Sequence, residues 1–313
     1  MYIMYYYNLA TFYKDSYHER IYKLPIDGGF TCPNRDGSLG TKGCIFCSDG
    51  GSYDYSSSRG KSVFEQLDAA RELISGKSDA RKFIPYFQTF TNTYGSVERL
   101  RSLYSEALSY PNVVGLAIGT RPDCLSDEII ELLSELNQKT DIYIELGLQT
   151  IHDHSAEIIR RGYATLVYDE AVKKLVAKGI RVVTHLIIGL PGESFEDMLA
   201  SVTHVCQAPI HGIKLQLLHI LKDTDLYQYY LDNPFHLPSE EEYVDTIIRL
   251  IEHVDENKVI HRVTGDGPED LLIAPLWSLN KRQVMNRIIQ GFKERSSYQG
   301  KALNATMRKD SVT

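Results

Sequence analysis

Three cysteines stand close together early in the chain, Cys32, Cys44 and Cys47, in a C-x11-C-x2-C array that runs from Cys32-Pro33-Asn34-Arg35 to Gly43-Cys44-Ile45-Phe46-Cys47. Thiolates are soft ligands that select zinc or the iron of iron–sulfur clusters over hard cations, and a Cys-x-x-Cys pair lets two of them reach one centre. A closed structural zinc site needs four ligands. No fourth cysteine or histidine follows at finger-like spacing, because the next of each type are Cys124 and His152. The array reads as a three-legged metal site with one open position. A distant histidine completing a Cys3His zinc site, with the remaining chain a binding module, is the alternative these residues leave open.

With Phe46 directly before its last cysteine, the array resembles the cluster loop of radical S-adenosylmethionine (SAM) enzymes. The longer first gap, within Lys23-Leu24-Pro25-Ile26-Asp27-Gly28-Gly29-Phe30-Thr31-Cys32-Pro33-Asn34-Arg35-Asp36-Gly37, resembles the bacterial YtqA/YhcC subfamily, relatives of the Elongator catalytic subunit. The resemblance spans about residues 13–292. It implies that Cys32, Cys44 and Cys47 hold a [4Fe-4S] cluster, that Phe46 lies beside the cofactors, and that the fourth iron chelates the methionine end of SAM. One electron then cleaves SAM, and a 5'-deoxyadenosyl radical abstracts hydrogen from a substrate. The protein's own task is to hold the substrate C–H against the 5' carbon and to keep water and stray reductant out. The resemblance further implies an electron donor such as flavodoxin or ferredoxin, and a tRNA substrate, because relatives in the Elongator group modify the wobble uridine. A small metabolite or peptide substrate is the alternative, as is an iron–sulfur electron carrier that never cleaves SAM.

The elements that must position this chemistry alternate. A first strand at residues 21–24 delivers the chain into the cysteine loop, and Ser62-Val63-Phe64-Glu65 is a capping box opening a helix with Val63, Phe64, Leu67, Ala70, Leu73 and Ile74 on one face. Apolar runs at residues 82–90, 113–118, 142–148, 181–188 and 213–220 read as buried parallel strands. Helices at 97–108, 127–136, 167–178 and 195–206 separate them, Ser126 capping the second. This spacing means βαβ units and a parallel sheet. The resemblance makes it a partial (β/α)6 barrel, an α/β fold with a C-terminal α/β elaboration packed on it. The expected division is a core barrel with an N-terminal extension at 1–238, an elaboration at 239–295 and a flexible tail at 296–313. The elaboration holds a helix capped by Ser239, a strand at 259–263 and a last amphipathic helix at 281–292. The tyrosine-rich first two dozen residues are expected to pack across the barrel wall or mouth.

In such barrels the active site lies at the C-terminal ends of the strands. Gln88-Thr89-Phe90-Thr91-Asn92 follows the second strand, where the resembled family binds the amino group of SAM, and Thr89 and Asn92 can accept from an ammonium. Arg121, after the third strand, has the forked donors to pair with a SAM carboxylate or a substrate anion. Glu145 lies inside the otherwise apolar fourth strand, where a carboxylate must be paired, and resemblance assigns it to the SAM ribose or amino group. Gly189 opens the turn Gly189-Leu190-Pro191-Gly192-Glu193, which resembles the family segment that passes the adenine. For the substrate the candidates are His185, Lys214, Gln216, Arg262 and Asp266. Lys214 and Gln216 share one strand face, whereas His219 has the opposite parity and needs a bulge to join them. Cys124 and Cys206 read as ordinary buried thiols.

The composition fits these expectations. The 313 residues, 43% of them hydrophobic, can bury a large core. Five cysteines, three of them clustered, do not form a secreted disulfide framework, and residues 1–7 lack the basic start of a signal peptide, so a cytoplasmic setting without a membrane span is expected. From Lys281 onward eight Lys/Arg face two acidic residues, leaving the earlier chain at about −13 of a total of −7. That basic end suits an RNA partner or a solvated helix face.

Overall fold

The computed structural model describes residues 5–48, 50, 60–75, 81–265 and 267–304. After helix α1 (Leu9–Tyr17), strand β1 (Ile21–Ile26) runs into the cysteine loop, and α2 (Val63–Ser75) leads to β2 (Lys82–Phe87). The alternation continues through α3 (Val97–Leu108), β3 (Gly115–Thr120), α4 (Asp127–Asn137), β4 (Asp141–Gln149), the short α5 (Asp153–Ile158), α6 (Thr165–Ala177), β5 (Arg181–Ile188), α7 (Phe195–Gln207) and β6 (Gly212–Leu217). Then come β7 (Ile220–Leu221), α8 (Asp225–Asp232), α9 (Glu240–Ile251), β8 (Val259–Arg262), β9 (Leu272–Ala274) and α10 (Lys281–Glu294).

Seven parallel strands form one curled sheet in the order β1-β2-β3-β4-β5-β6-β8. Each of β1 to β5 is followed by a helix that packs back on the outside of the sheet, and the curl encloses the inside, which explains the continuous apolar runs. All six residues of β3 are buried. The partial barrel read from the sequence is present, with one strand more than the expected six. Val259–Arg262, which falls in the expected C-terminal elaboration, pairs with β6 and covers an edge that would otherwise carry unpaired backbone groups.

Local chemistry sets the helix starts. Ser62 and Glu65 exchange hydrogen bonds as a capping box, Ser239 and Glu242 do the same ahead of α9, and Ser126 accepts from the Ile129 N–H. The apolar face of α2 is narrower than its sequence suggests: Val63, Leu67, Ala70 and Ile74 are buried, whereas Phe64 and Leu73 are exposed. The run at 213–220 is broken, because β6 ends at Leu217 and the chain turns through Leu218 and His219 into β7, which pairs antiparallel with β9.

The N-terminal segment lies at the floor of the barrel and not across its mouth. Tyr17 on α1 bonds Asp141 and Tyr143 at the start of β4, and Phe12 stacks edge-on against His211 just before β6. The expected flexible tail begins with packed residues: Ser297 and Gln299 are buried, and Gln299 bonds the Tyr7 N–H and the carbonyls of Asp255 and Lys258. Residues 305–313 lie outside the described residues.

Candidate active site

The cysteine loop is shaped by its own main chain. Arg35 N–H donates to the Cys32 carbonyl at 2.8 Å, Gly43 N–H to Asn34 O at 2.7 Å, and Cys47 N–H to Cys44 O at 3.0 Å. Gly43 has a φ of +76°, and a side chain there would meet the Arg35 guanidinium 2.8 Å away, so only glycine allows this close approach. Two polar side chains fasten the loop. Asn34 Nδ2 donates to the Arg160 carbonyl at 2.7 Å and to Cys44 Sγ at 3.4 Å. Arg35 donates to the carbonyls of Cys47 and Ser48 and stacks over Phe90.

All three thiols line one cavity of about 260 Å³ at the C-terminal ends of the strands. Burial pushes the Cys47 thiol up to about 12, with Cys44 adding to the push and Arg35 opposing it. Burial likewise raises Cys44, against Arg121 and Asn34. Such sulfurs stay protonated unless a ligated cation takes the place of the proton, which is the behaviour of metal-ligand cysteines. Among the described residues, no three His, Cys, Asp or Glu side chains are gathered to hold a single metal ion. A four-iron cube places its ligand sulfurs farther apart than one ion does, so three thiols facing a shared cavity fit the cluster. The amide of Asn34 on Cys44 Sγ is also the kind of hydrogen bond that tunes a cluster sulfur.

The cavity gathers many of the residues singled out in the sequence. Phe46, Arg121, Glu145, His185, Lys214, Gln216 and Arg262 all line it. His219 lines it too, because β6 has already ended at Leu217 and strand parity no longer applies. Thr89, Asn92 and Gly189 do not line it. Asn92 is buried and spends its amide on the carbonyls of Phe87 and Gly119, tying β2 to β3, and the cavity wall beside it is made by Gln88, Phe90 and Thr91. Gly189 has a φ of +90° and packs toward Pro238. Arg121 gives its fork to Asp123, at 2.9 and 2.7 Å, and lies over the Tyr163 ring. Asp266 lies outside the described residues.

At the base of the cavity Glu145 is fully buried, and both of its oxygens are taken. Lys23 from β1 holds Oε1, while Lys214 from β6 and His185 from β5 hold Oε2, the latter at 2.9 Å. Burial alone would raise the Glu145 carboxyl, but Lys214, Lys23 and His185 outweigh it and hold the group well below the ordinary carboxylate range. Burial lowers Lys214 to about 7, helped by Lys23 and Arg262 and opposed by Glu145. Burial and then Lys214 lower His185 to about 4. Glu145 is thus the hub of a charge cluster, a structural ion-pair role beside any contact with SAM.

Sequence reasoning missed Lys23, Arg161 and Tyr163. Arg161 is buried and donates to the carbonyls of Leu148, Thr150 and Tyr163, and the Tyr163 hydroxyl donates to Gly147 O. A signal existed for Lys23: it interrupts an apolar strand, as Glu145 does, and a buried acid needs a buried base.

An open barrel of parallel strands, with three thiols above a polar cavity at the strands' C-terminal ends, defines a class of cluster-bearing barrels, and the sequence comparisons agree. The chain belongs to the radical SAM superfamily: the profile of that superfamily matches residues 34–205, and that of the Radical SAM C-terminal domain matches residues 210–294. Over 296 residues it is 40% identical to YtqA of Bacillus subtilis, covering 95% of this chain and 92% of that one. It is 35% identical to YhcC of Escherichia coli K12 over 288 residues, 92% of each chain. Among solved structures it is similar to the archaeal Elp3 of Methanocaldococcus infernus, with a TM-score of 0.68 at 16% identity, over 89% of this chain and 64% of that longer one. Membership brings the family's cofactors, a [4Fe-4S] cluster and SAM, and the need for an electron donor. Among the described residues no helix is long and apolar enough to cross a membrane.

Proposed function

We propose that Cys32, Cys44 and Cys47 hold the cluster of a radical SAM enzyme that acts on the modified side chain of the wobble uridine in tRNA. The observation that carries the first part is the convergence of the three thiols on one cavity. When bound, the cluster and SAM together supply a 5'-deoxyadenosyl radical for hydrogen abstraction. Around them this chain's residues do the positioning. Asn34 and Arg35 fix the loop, Phe46 walls the cluster from solvent, and Gln88 and Thr91 offer acceptors to the ammonium of SAM in the place first given to Thr89 and Asn92. Gln149 and Gln216 offer amides to hydroxyls, and Tyr163 with Leu186 and Leu218 excludes water.

The tRNA reading is supported by the resemblance to the Elongator group and by the cationic lining of the cavity, which suits an anionic polymer better than a neutral metabolite. A cytoplasmic flavodoxin or ferredoxin is the proposed reductant. The test is anaerobic reconstitution with iron and sulfide, then dithionite, SAM and an assay for 5'-deoxyadenosine. A brown protein that forms deoxyadenosine supports the cofactor assignment, and a colourless one holding zinc overturns it. Altered wobble nucleosides in tRNA from a deletion strain support the substrate assignment, and an unchanged nucleoside profile sinks it.

A further inference from the structure

Three adjacent strands each contribute a basic side chain to one row of the inner sheet face. His185 of β5 is in register with Lys214 of β6, and Lys214 is in register with Arg262 of β8. The alignment on β8 depends on a bulge: Ile213 pairs with Ile260, but the next residue, Lys214, pairs with Arg262, so His261 is the extra residue. Without that bulge His261 would lie level with Lys214. Instead His261 packs edge-on against the ring of His211, and Arg262 lines the cavity. On the other flank the row continues into Gly147 of β4, which is also next to a bulge and has the Gln149 amide 2.5 Å from where a Cβ would stand. Bulges beside sites re-aim side chains, and here one of them completes a basic row.

The row lies across the sheet from β1, whose C-terminal end carries the thiols. The groups facing Lys214 are Lys23 from β1, Tyr86 from β2, Glu145 from β4, His185 from β5 and Arg262 from β8, with His261 below. Among the described residues Glu145 is the one carboxylate lining the cavity, and it is shared by Lys23, Lys214 and His185. A lysine ammonium has three protons to donate. Lys214 gives one to Glu145 and one to the Tyr86 hydroxyl at 3.3 Å, which leaves the third for a ligand in the cavity. Like charges crowded in a buried site repel one another, and one further anion relieves that repulsion.

We infer that the row His185–Lys214–Arg262 is a subsite for a singly charged oxyanion of the substrate, a carboxylate or a phosphodiester, with Lys214 as its principal ligand. That the anion belongs to a substrate rests on the radical SAM reading, whereas its binding does not. Because Lys214 is lowered to about 7, an anion that needs the ammonium binds with proton uptake and weakens as the pH rises.

The probes are sodium acetate, sodium dimethyl phosphate and neutral acetamide, titrated calorimetrically into the reconstituted holoenzyme at matched ionic strength, with and without SAM. Both anions keep a single charge from pH 6.5 to 8.5, so any pH dependence is the protein's. The expected result is saturable binding of one anion and not of acetamide, weakening about tenfold between pH 7.5 and 8.5. Acetate as the ligand indicates a substrate carboxylate, and dimethyl phosphate indicates a nucleic-acid backbone. Lys214→Met is expected to abolish the binding, and Arg262→Met, which leaves the Glu145 pairs intact, to weaken it at least tenfold. Binding no stronger than sodium chloride, a pH-independent affinity in the wild type, unchanged affinity in a folded Arg262→Met protein, or displacement of the anion by SAM would each overturn the assignment. A deoxyadenosine assay on the same sample separates the two readings, since anion binding without SAM cleavage retains the subsite and loses the enzyme assignment, and the reverse result does the opposite.

Discussion

From Cys32 to Cys47 the thiol-bearing half of the cavity is one continuous loop pinned by main-chain hydrogen bonds, whereas the base takes single side chains from β1, β4, β5 and β6 and joins them through Glu145. The loop distributes its fixings over several turns, Asn34 and Arg35. The base concentrates them in one carboxylate. Losing a contact in the loop leaves the remaining bonds in place, but losing the carboxylate leaves the buried Lys214 and the half-buried Lys23 without their countercharge. The two halves should therefore fail differently: the loop in function with little loss of stability, the base in stability first.

The largest expected effect tests the loop. Cys47→Ala should bring iron content and deoxyadenosine formation below detection while the unfolding free energy of the metal-free protein changes by under about 1 kcal/mol. A collapse of the far-ultraviolet circular dichroism in that variant would mean that the loop also carries the fold. Next is the base, where Glu145→Gln should cost about 3–5 kcal/mol in urea unfolding, because Lys23 and Lys214 lose their countercharge. A loss below 1 kcal/mol would show that water already screens the cluster.

Acid should also separate the halves. His185 is lowered from 6.5 to about 4, so between those values the unfolded chain binds the proton that the folded one refuses. Its contribution is present above pH 6.5 and is lost as pH falls through 4, at about 1.4 kcal/mol per unit, or roughly 3 kcal/mol in total. His185→Asn should flatten that part of the stability–pH curve, and an unchanged slope would show that His185 charges freely in the fold. The smallest effect returns to the loop. Asn34→Ala removes its bonds to Arg160 O and Cys44 Sγ and should cost about 1–2 kcal/mol, with faster bleaching of the cluster in air.

The two halves also differed in how well the sequence revealed them. The cysteine loop was legible because its ligands are neighbours in the chain, and the strands because parallel pairing leaves unbroken apolar runs. Glu145, Lys214 and His185 stood out as polar residues in such runs, yet nothing in the sequence said that they meet one another. That meeting depends on the register of β4, β5 and β6, and the alignment of Arg262 with them depends on a bulge at His261. Thr89 and Asn92 looked available as acceptors, but the sharp exit from β2 needed the Asn92 amide for the carbonyls of Phe87 and Gly119. The aromatic residues near the start had no period to read, because the partners of Tyr17 are Asp141 and Tyr143 on β4 and that of Phe12 is His211 just before β6, all far along the chain.

The contact between the N-terminal tyrosines and Gln299 is among the last that the growing chain can make. Tyr7 N–H donates to Gln299 Oε1 at 2.8 Å, Gln299 N–H to the Tyr5 carbonyl at 2.9 Å, and Ile260 N–H to the Tyr7 carbonyl at 2.8 Å. On a ribosome adding about 5–20 residues per second, the first tyrosines emerge long before any of these partners exist. The early βα units can assemble as they appear, but the floor beneath them stays unsealed until β8 and Gln299 have been synthesised. A nascent chain that has not yet reached Gln299 therefore leaves the backbone of Tyr5 and Tyr7 without these partners.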